Sequence, residues 1–296
     1  MDMVRIGYAC VNTELPTSSR TCRLASATPE RVIELGRENL RALADILRWN
    51  ERHGIAVFRI SSGIIPLASH SVVRGIPWAE RLADDLGAVG DLIAASGARV
   101  SMHPGQYTVL NSPRPEVVSA SLFELEYHAH LLDALGTGPE AKIVLHLGGV
   151  YGDQAASMER FASNFARLST SVRSRLVLEN DEKSYTASSI LDLSARLGVP
   201  VVFDVFHHQY NPSLKNLSTR QIIQRCGVTW QPVDGPQKLH YSDPWPGKPA
   251  GSHAQTVDLQ AFARFYDLIA GLNLDVMLEV KDKQASVMKV MAYLGA

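Results

Sequence analysis

Short apolar runs alternate along this chain with longer stretches in which apolar residues recur every three or four positions. That alternation predicts strands interleaved with amphipathic helices. The first unit is RIGYAC (5–10) followed by TPERVIELGRENLRALADILRWNERHG (28–54). In that helix Thr28 caps, Pro29 begins, Val32, Leu35, Leu40, Leu43, Ile46 and Leu47 form one face, and Gly54 stops it. AVFRISSG (56–63) precedes a helix near 77–96, RVSMHPG (99–105) one near 115–135, and KIVLHLGG (142–149) one over 153–169. The second half repeats the scheme: RLVLEND (175–181) with 188–198, VPVVFDVFHH (199–208) with 218–227, PQKLHYSD (236–243) with 258–271, and LDVMLEVKDK (274–283) with 285–294.

Strand cores that are continuously apolar belong to parallel sheets covered by helices. Eight strand–helix units predict an α/β fold, a (β/α)8 TIM barrel forming a single domain over 1–296, with its site at the C-terminal ends of the strands. An open doubly wound sheet is the alternative architecture, but YACVNTE (8–14) after the first strand lacks its glycine-rich phosphate turn. The longest interruptions, 11–27, 62–77 and 243–257, each follow a strand end, where a barrel carries its active-site loops.

Composition narrows the class. With 46% hydrophobic and 20% charged residues the chain reads as an ordinary globular protein, and no apolar run approaches the roughly 20 residues of a membrane helix. The start MDMVRIGYAC lacks the basic and apolar regions of a secretory signal, so a cytoplasmic location is expected. Cys10, Cys22 and Cys226 form no CxxC pair, and reduced thiols are expected. The net charge of -1 shows no basic nucleic-acid footprint, but bound cations would add charge that this sum omits. No obligate protein partner is evident and a monomer is expected.

The chemistry lies where the apolar runs end. Tyr8, Arg59, His103, His146, Glu179, Asp204 with His207, His240, and Glu279 with Lys281 all sit at predicted strand ends, and His70 and His253 follow strands two and seven. Taken singly, a histidine there is usually a hydrogen-bonded structural residue. A barrel, however, brings every C-terminal strand end to one mouth, and imidazoles converging with carboxylates suit divalent cations such as Zn2+ or Mn2+. Nine donors exceed what one ion takes, which predicts two or three metals with a bridging carboxylate; Glu179 and Glu279 are the better bridges. Such sites suit in-line displacement at phosphorus, one ion activating water as hydroxide and another neutralising the leaving oxygen.

In order, GYACVN (7–12), FRISSGIIPLASH (58–70), MHPGQY (102–107), VLHLGG (144–149), LEND (178–181), FDVFHH (203–208), KLHYS (238–242) and LEVKDK (278–283) resemble the UV damage endonucleases, relatives in fold of the endonuclease IV abasic-site nucleases. The resemblance covers nearly the whole chain. It implies an enzyme that nicks double-stranded DNA immediately 5′ of pyrimidine dimers and related lesions, leaving a 3′-hydroxyl and a 5′-phosphate, with three divalent metals, commonly manganese. Carried over, the metal ligands are His70, His103, His146, Glu179, Asp204, His207, His240, His253 and Glu279. Lys238 matches a lysine that can be carboxylated, joining Glu179 and Glu279 in the catalytic set; the alternative is an ordinary ion-paired lysine. Gln106 and Tyr107 match the pair that probes the duplex, and Tyr8 and Asn12 match residues near the lesion, with inward barrel packing the rival for Tyr8. Glu182, Gln284 and the GSHAQT loop around His253 depart from the family pattern without removing a ligand.

A two-metal sugar isomerase is a rival, although such sites are mainly carboxylate. An endonuclease IV-like abasic-site nuclease and a non-catalytic damage-binding protein are the others. Arg74, Arg114, Lys215, Arg220, Lys248 and Lys283 are the candidate phosphate contacts.

Overall fold

Eight parallel strands close on themselves in sequence order: β1 (Val4–Ala9), β2 (Val57–Ile60), β3 (Arg99–Met102), β4 (Lys142–His146), β5 (Leu176–Glu179), β6 (Val201–Asp204), β7 (Gln237–Tyr241) and β8 (Leu274–Leu278), with β8 pairing back onto β1. This computed structural model describes residues 4–295; the two ends of the expected 1–296 domain, residues 1–3 and 296, lie outside it. The helices are α1 (Pro29–Arg52), α2 (Trp78–Arg81), α3 (Ala83–Ser96), α4 (Pro115–Ala134), α5 (Gln154–Phe165), α6 (Thr170–Arg175), α7 (Ala187–Leu197), α8 (Val205–Tyr210), α9 (Thr219–Gly227), α10 (Leu259–Ile269) and α11 (Gln284–Leu294). No described helix is long and apolar enough to cross a membrane.

Local chemistry explains most boundaries. Thr28 caps α1 by accepting from Arg31 N, Ser218 and Gln221 form a capping box on α9, and Asp258 accepts from Gln260 N and Ala261 N to start α10. The expected helix near 77–96 is interrupted at Leu82, and that over 153–169 stops at Phe165 before α6 begins.

A larger correction concerns VPVVFDVFHH. It does not continue as a strand to His208: β6 ends at Asp204, whose carboxylate accepts from His207 N and caps α8. The Asp cap overrides the β-propensity of Val205 and Phe206.

Side-chain parity divides the barrel interior. Apolar residues line much of its middle, in two small clusters: Ala9, Val57 and Met277 on one side, Val144, Val177 and Val202 on the other. Gly7 lets β1 approach β2, because a Cβ there would lie 2.0 Å from Val57 O. The lower end is closed by charge: Asp275 accepts from Arg5 at 2.7 and 3.0 Å and from Arg99 at 2.5 Å, while buried Lys142 pairs with Asp234. The main apolar core lies between the sheet and the helices.

Candidate metal centre

Strand register begins the site. His146 on β4 stands directly beside Glu179 on β5, and Asp204 on β6 beside His240 on β7, so four donors are neighbours through backbone pairing alone. His103 follows β3 and Glu279 follows β8, both continuing inward-facing positions. His207 enters from the first turn of α8, and His253 from the loop after β7, where an isolated bridge pairs it with Pro244.

Glu179 is the hub. It is almost wholly buried, with Oε1 2.5 Å from His240 Nδ1 and Oε2 3.0 Å from His103 Nε2 and 3.3 Å from His146 Nε2. Two donor triplets share it: His103, His146 and Glu179, and Glu179, Asp204 and His240, with donor atoms within 4.8 Å of one another in each. Glu279 joins through Oε1, 3.4 Å from His240 Nδ1, and through Oε2, 4.0 Å from His253 Nε2. The rings of His207 and His146 lie 5.6 Å apart and those of His207 and His253 6.0 Å apart, completing an arc of eight donor side chains.

His70 stands apart from that arc. Its Nδ1 accepts from Val72 N at 3.2 Å, and it shares a hollow with Tyr107, making no hydrogen bond or ion pair with the other eight among the described residues.

The electrostatics favour cations. Burial opposes ionisation of Glu179, yet His240 and His146, with hydrogen bonds from His103 and His240, hold its carboxyl well below the usual range. Asp204 goes the other way: burial and the charges of Glu179 and Glu279 push it well above the usual range despite His207. Three carboxylates in one buried pocket therefore cannot all be ionised comfortably without added positive charge. Asp204 Oδ2, His146 Nδ1 and His253 Nδ1 are also buried without a hydrogen-bond partner, at a cost of about 1–3 kcal/mol for each such group. Unsatisfied donor atoms, imidazoles and carboxylates together fit divalent metal, and the eight clustered residues are the ones that could hold it.

Several supports were not apparent from sequence. Asn180, next to Glu179, accepts from Asp204 N at 2.9 Å, donates to Asp204 O at 3.0 Å, and offers its carbonyl to His207 Nδ1 at 3.0 Å. Ser62 Oγ donates to His103 O at 2.9 Å and meets buried His128 Nε2 at 2.8 Å. Arg59, named from its strand end, donates to Glu279 and, at 2.8 Å, to His240 Nε2, tying two donors together. Two-residue periodicity marks Arg59 as inward-facing; Ser62 lies within FRISSG without its role being visible there, and no linear motif marks His128.

Lys238 lies one pleat below His240. It is fully buried, donates to Ser101 Oγ at 3.3 Å, and is pushed down to about 7 by burial reinforced by Arg99.

Tyr8 is turned away from the barrel interior, and Asn12, in the loop after β1, is bonded to it. Gly7 and Ala9 face the barrel interior, so Tyr8 faces α1, where its hydroxyl donates to Asn50 Oδ1 at 2.7 Å and accepts from Asn12 Nδ2 at 3.1 Å. Both are buried in this arrangement, and inward packing of Tyr8 is excluded by the same parity.

Gln106 and Tyr107 instead project from the loop after β3, with Tyr107 83% exposed. They border a hollow of about 590 Å3 with Arg114 and Tyr151. Among the candidate phosphate contacts, Arg220 is committed to the carbonyls of Leu268 and Ala270, Arg74 lies over the Phe123 ring, and Arg114 is 4.0 Å from Glu116; Lys215 is exposed.

Comparison with known proteins bears on family and fold. The family model described as UV-endonuclease UvdE matches residues 4–296. The UV DNA damage endonuclease of Clostridium perfringens is 40% identical over 291 residues, covering 97% of this chain and 69% of that protein. The crystal structure of SacUVDE superposes with a TM-score of 0.93 at 40% identity, covering 99% of this chain and 98% of the other. Endonuclease IV from Thermus thermophilus shares the fold, with a TM-score of 0.60 at 16% identity over 98% of this chain and 99% of the other.

Proposed function

Because the chain belongs to the UV-endonuclease UvdE family, we propose that it hydrolyses the DNA phosphodiester bond immediately 5′ of UV lesions, pyrimidine dimers foremost. The barrel acts as one catalytic domain, a monomer that needs no protein partner. The observation that carries the reading is the convergence of three imidazoles on buried Glu179, with Asp204 and Glu279 at its margins.

Three divalent cations, manganese foremost, would be held by His103, His146, Glu179, Asp204, His207, His240, His253 and Glu279; His70, the ninth expected ligand, stands apart from them. Bound there, such ions lower the pKa of water and neutralise charge on phosphate oxygens. Glu179 and Glu279 would supply anionic donors to these ions, and Asn180 keeps Asp204 and His207 aimed at the pocket. Lys238 completes the set beneath His240, either as a lysine or, once its amine is carboxylated, as a further anionic donor. In the reaction the oxygen of water bonds to phosphorus, the bond from phosphorus to O3′ breaks, and O3′ takes up a proton. The products are a 3′-hydroxyl and a 5′-phosphate.

Nicking of a duplex with one defined dimer, with and without chelator, tests this function. Chelation is expected to abolish nicking and Mn2+ to restore it more fully than Mg2+ or Zn2+. Undiminished nicking in chelator would refute the metal mechanism, and cleavage of abasic duplex alone would assign the protein to endonuclease IV-like repair.

Tyr107 supplies the lesion check, and Gln106 offers its amide to the unpaired bases. A stacking aromatic contributes roughly 1–3 kcal/mol per base, so Tyr107→Ala should weaken binding to dimer DNA about tenfold or more. Its exposure predicts an unchanged Tm. Equal binding of damaged duplex by variant and wild type, measured by fluorescence anisotropy, would remove Tyr107 from recognition.

A further inference from the structure

Beside the donor cluster, where β8 returns to β1, lies a pocket of about 260 Å3 lined by Cys10, Arg59, His253, Glu279, Lys281 and Lys283. Its charge is one-sided. Three basic side chains face one carboxylate, Glu279, and Arg59 already pairs with it. Among the described residues neither Lys281 nor Lys283 has a carboxylate within ion-pair distance, whereas Lys142, Lys183 and Lys289 each do.

The cationic wall is also held in place. Lys281 Nζ sits 4.0 Å from the centroid of the Trp245 ring, and Lys248 Nζ lies 5.5 Å from the same ring. Lys281 N donates to Ala254 O at 3.1 Å, and the Pro244–His253 bridge ties the Trp245 loop to the pocket rim. Cys10 and Lys283 adopt positive φ, 71° and 54°, a conformation that costs a non-glycine residue on the order of 1–3 kcal/mol unless its surroundings impose it. Two such residues thus flank one small pocket. Lys283 also precedes α11, whose N-terminal end adds positive potential.

We propose that this pocket binds a backbone phosphate of the cleaved DNA strand, next to the scissile one, with Lys281 and Lys283 as its principal contacts. A phosphodiester brings one negative charge and only acceptor oxygens, which matches a pocket whose three cations outnumber its one anion. It is not the scissile phosphate. That group must face the donors gathered on Glu179, and the pocket shares with them only His253 and Glu279. Trp245 is a positioning residue that fixes the Lys281 ammonium. Naming DNA as the ligand rests on the nuclease reading above.

The test is a chemical double-mutant cycle. Mn2+-loaded protein is titrated with dimer-containing duplexes bearing a non-hydrolysable scissile linkage, and one neighbouring phosphate at a time is replaced by neutral methylphosphonate. At one position the replacement should weaken wild-type binding about tenfold, and Lys283→Gln should weaken binding of the unmodified duplex by a similar factor. In that variant the slope of log K against log salt should shrink by about 1, and methylphosphonate at that position should cost nothing further.

Lys281→Gln, at an exposed position, should show the same pattern and decides the matter if Lys283→Gln does not fold. Losses that multiply at every position in the folded variant overturn the pocket. Wild-type protein that binds but does not nick a hydrolysable duplex overturns the nuclease reading instead, and the cycle still judges the pocket.

Discussion

Glu179→Ala is expected to lower nicking of dimer-containing DNA by on the order of 10³-fold, because it removes an anion at the centre of a site that supplies several kcal/mol of charge stabilisation in the transition state. Three imidazoles address this one carboxylate, at 2.5, 3.0 and 3.3 Å. Losing it therefore disrupts both donor triplets at once. Elemental analysis should show fewer bound metal ions, and Glu179→Gln should behave similarly, since it keeps the shape and loses the charge.

Stability should fall as well. His240, His146 and His103 hold the Glu179 carboxyl well below its usual range, so removing it strips three packed imidazoles of their acceptor, and the metal-free variant should melt below the metal-free wild type. A variant that nicks at wild-type rate with full metal content would show that Glu179 is not the hub.

The other large effect lies at the opposite end of the barrel. Asp275→Ala should destabilise the fold by about 3–5 kcal/mol, since it strips the partner from two guanidinium groups, that of Arg99 nearly buried. Asp275 is fully buried and accepts twice from Arg5 and once from Arg99; Arg99 is itself nearly buried. Arg99 also donates to the carbonyls of Glu140, Asp234 and Pro236, so it cannot turn away to solvent without abandoning them. A drop in Tm of about 10 °C is the expected size for a chain of this length. Asp275→Asn, which retains an acceptor, should fall between the two. A Tm within about 1 °C of wild type, on the scale where surface changes fall, would show that the plug contributes little.

The sequence by itself determined the eight strand–helix units, since continuous apolar runs and 3.6-residue periodicity are local properties and caps such as Thr28 and Asp258 act within one turn. It also determined that polar donors end the strands, and a parallel barrel turns those scattered endings into one mouth. It did not determine which donors meet.

Register placed His146 against Glu179 and Asp204 against His240, and helix capping by Asp204 bent FDVFHH so that His207 turns toward the cluster. Parity sent Tyr8 to α1 and Arg59 inward, although both end comparable runs, and the loop conformation left His70 beside Tyr107. His128 and Asn180 became supports only once packing removed them from water and obliged each polar group to find a partner, with half-buried Ser62 meeting His128. Local preference specifies elements, whereas pair distances between residues far apart in the chain depend on how all eight strands close together.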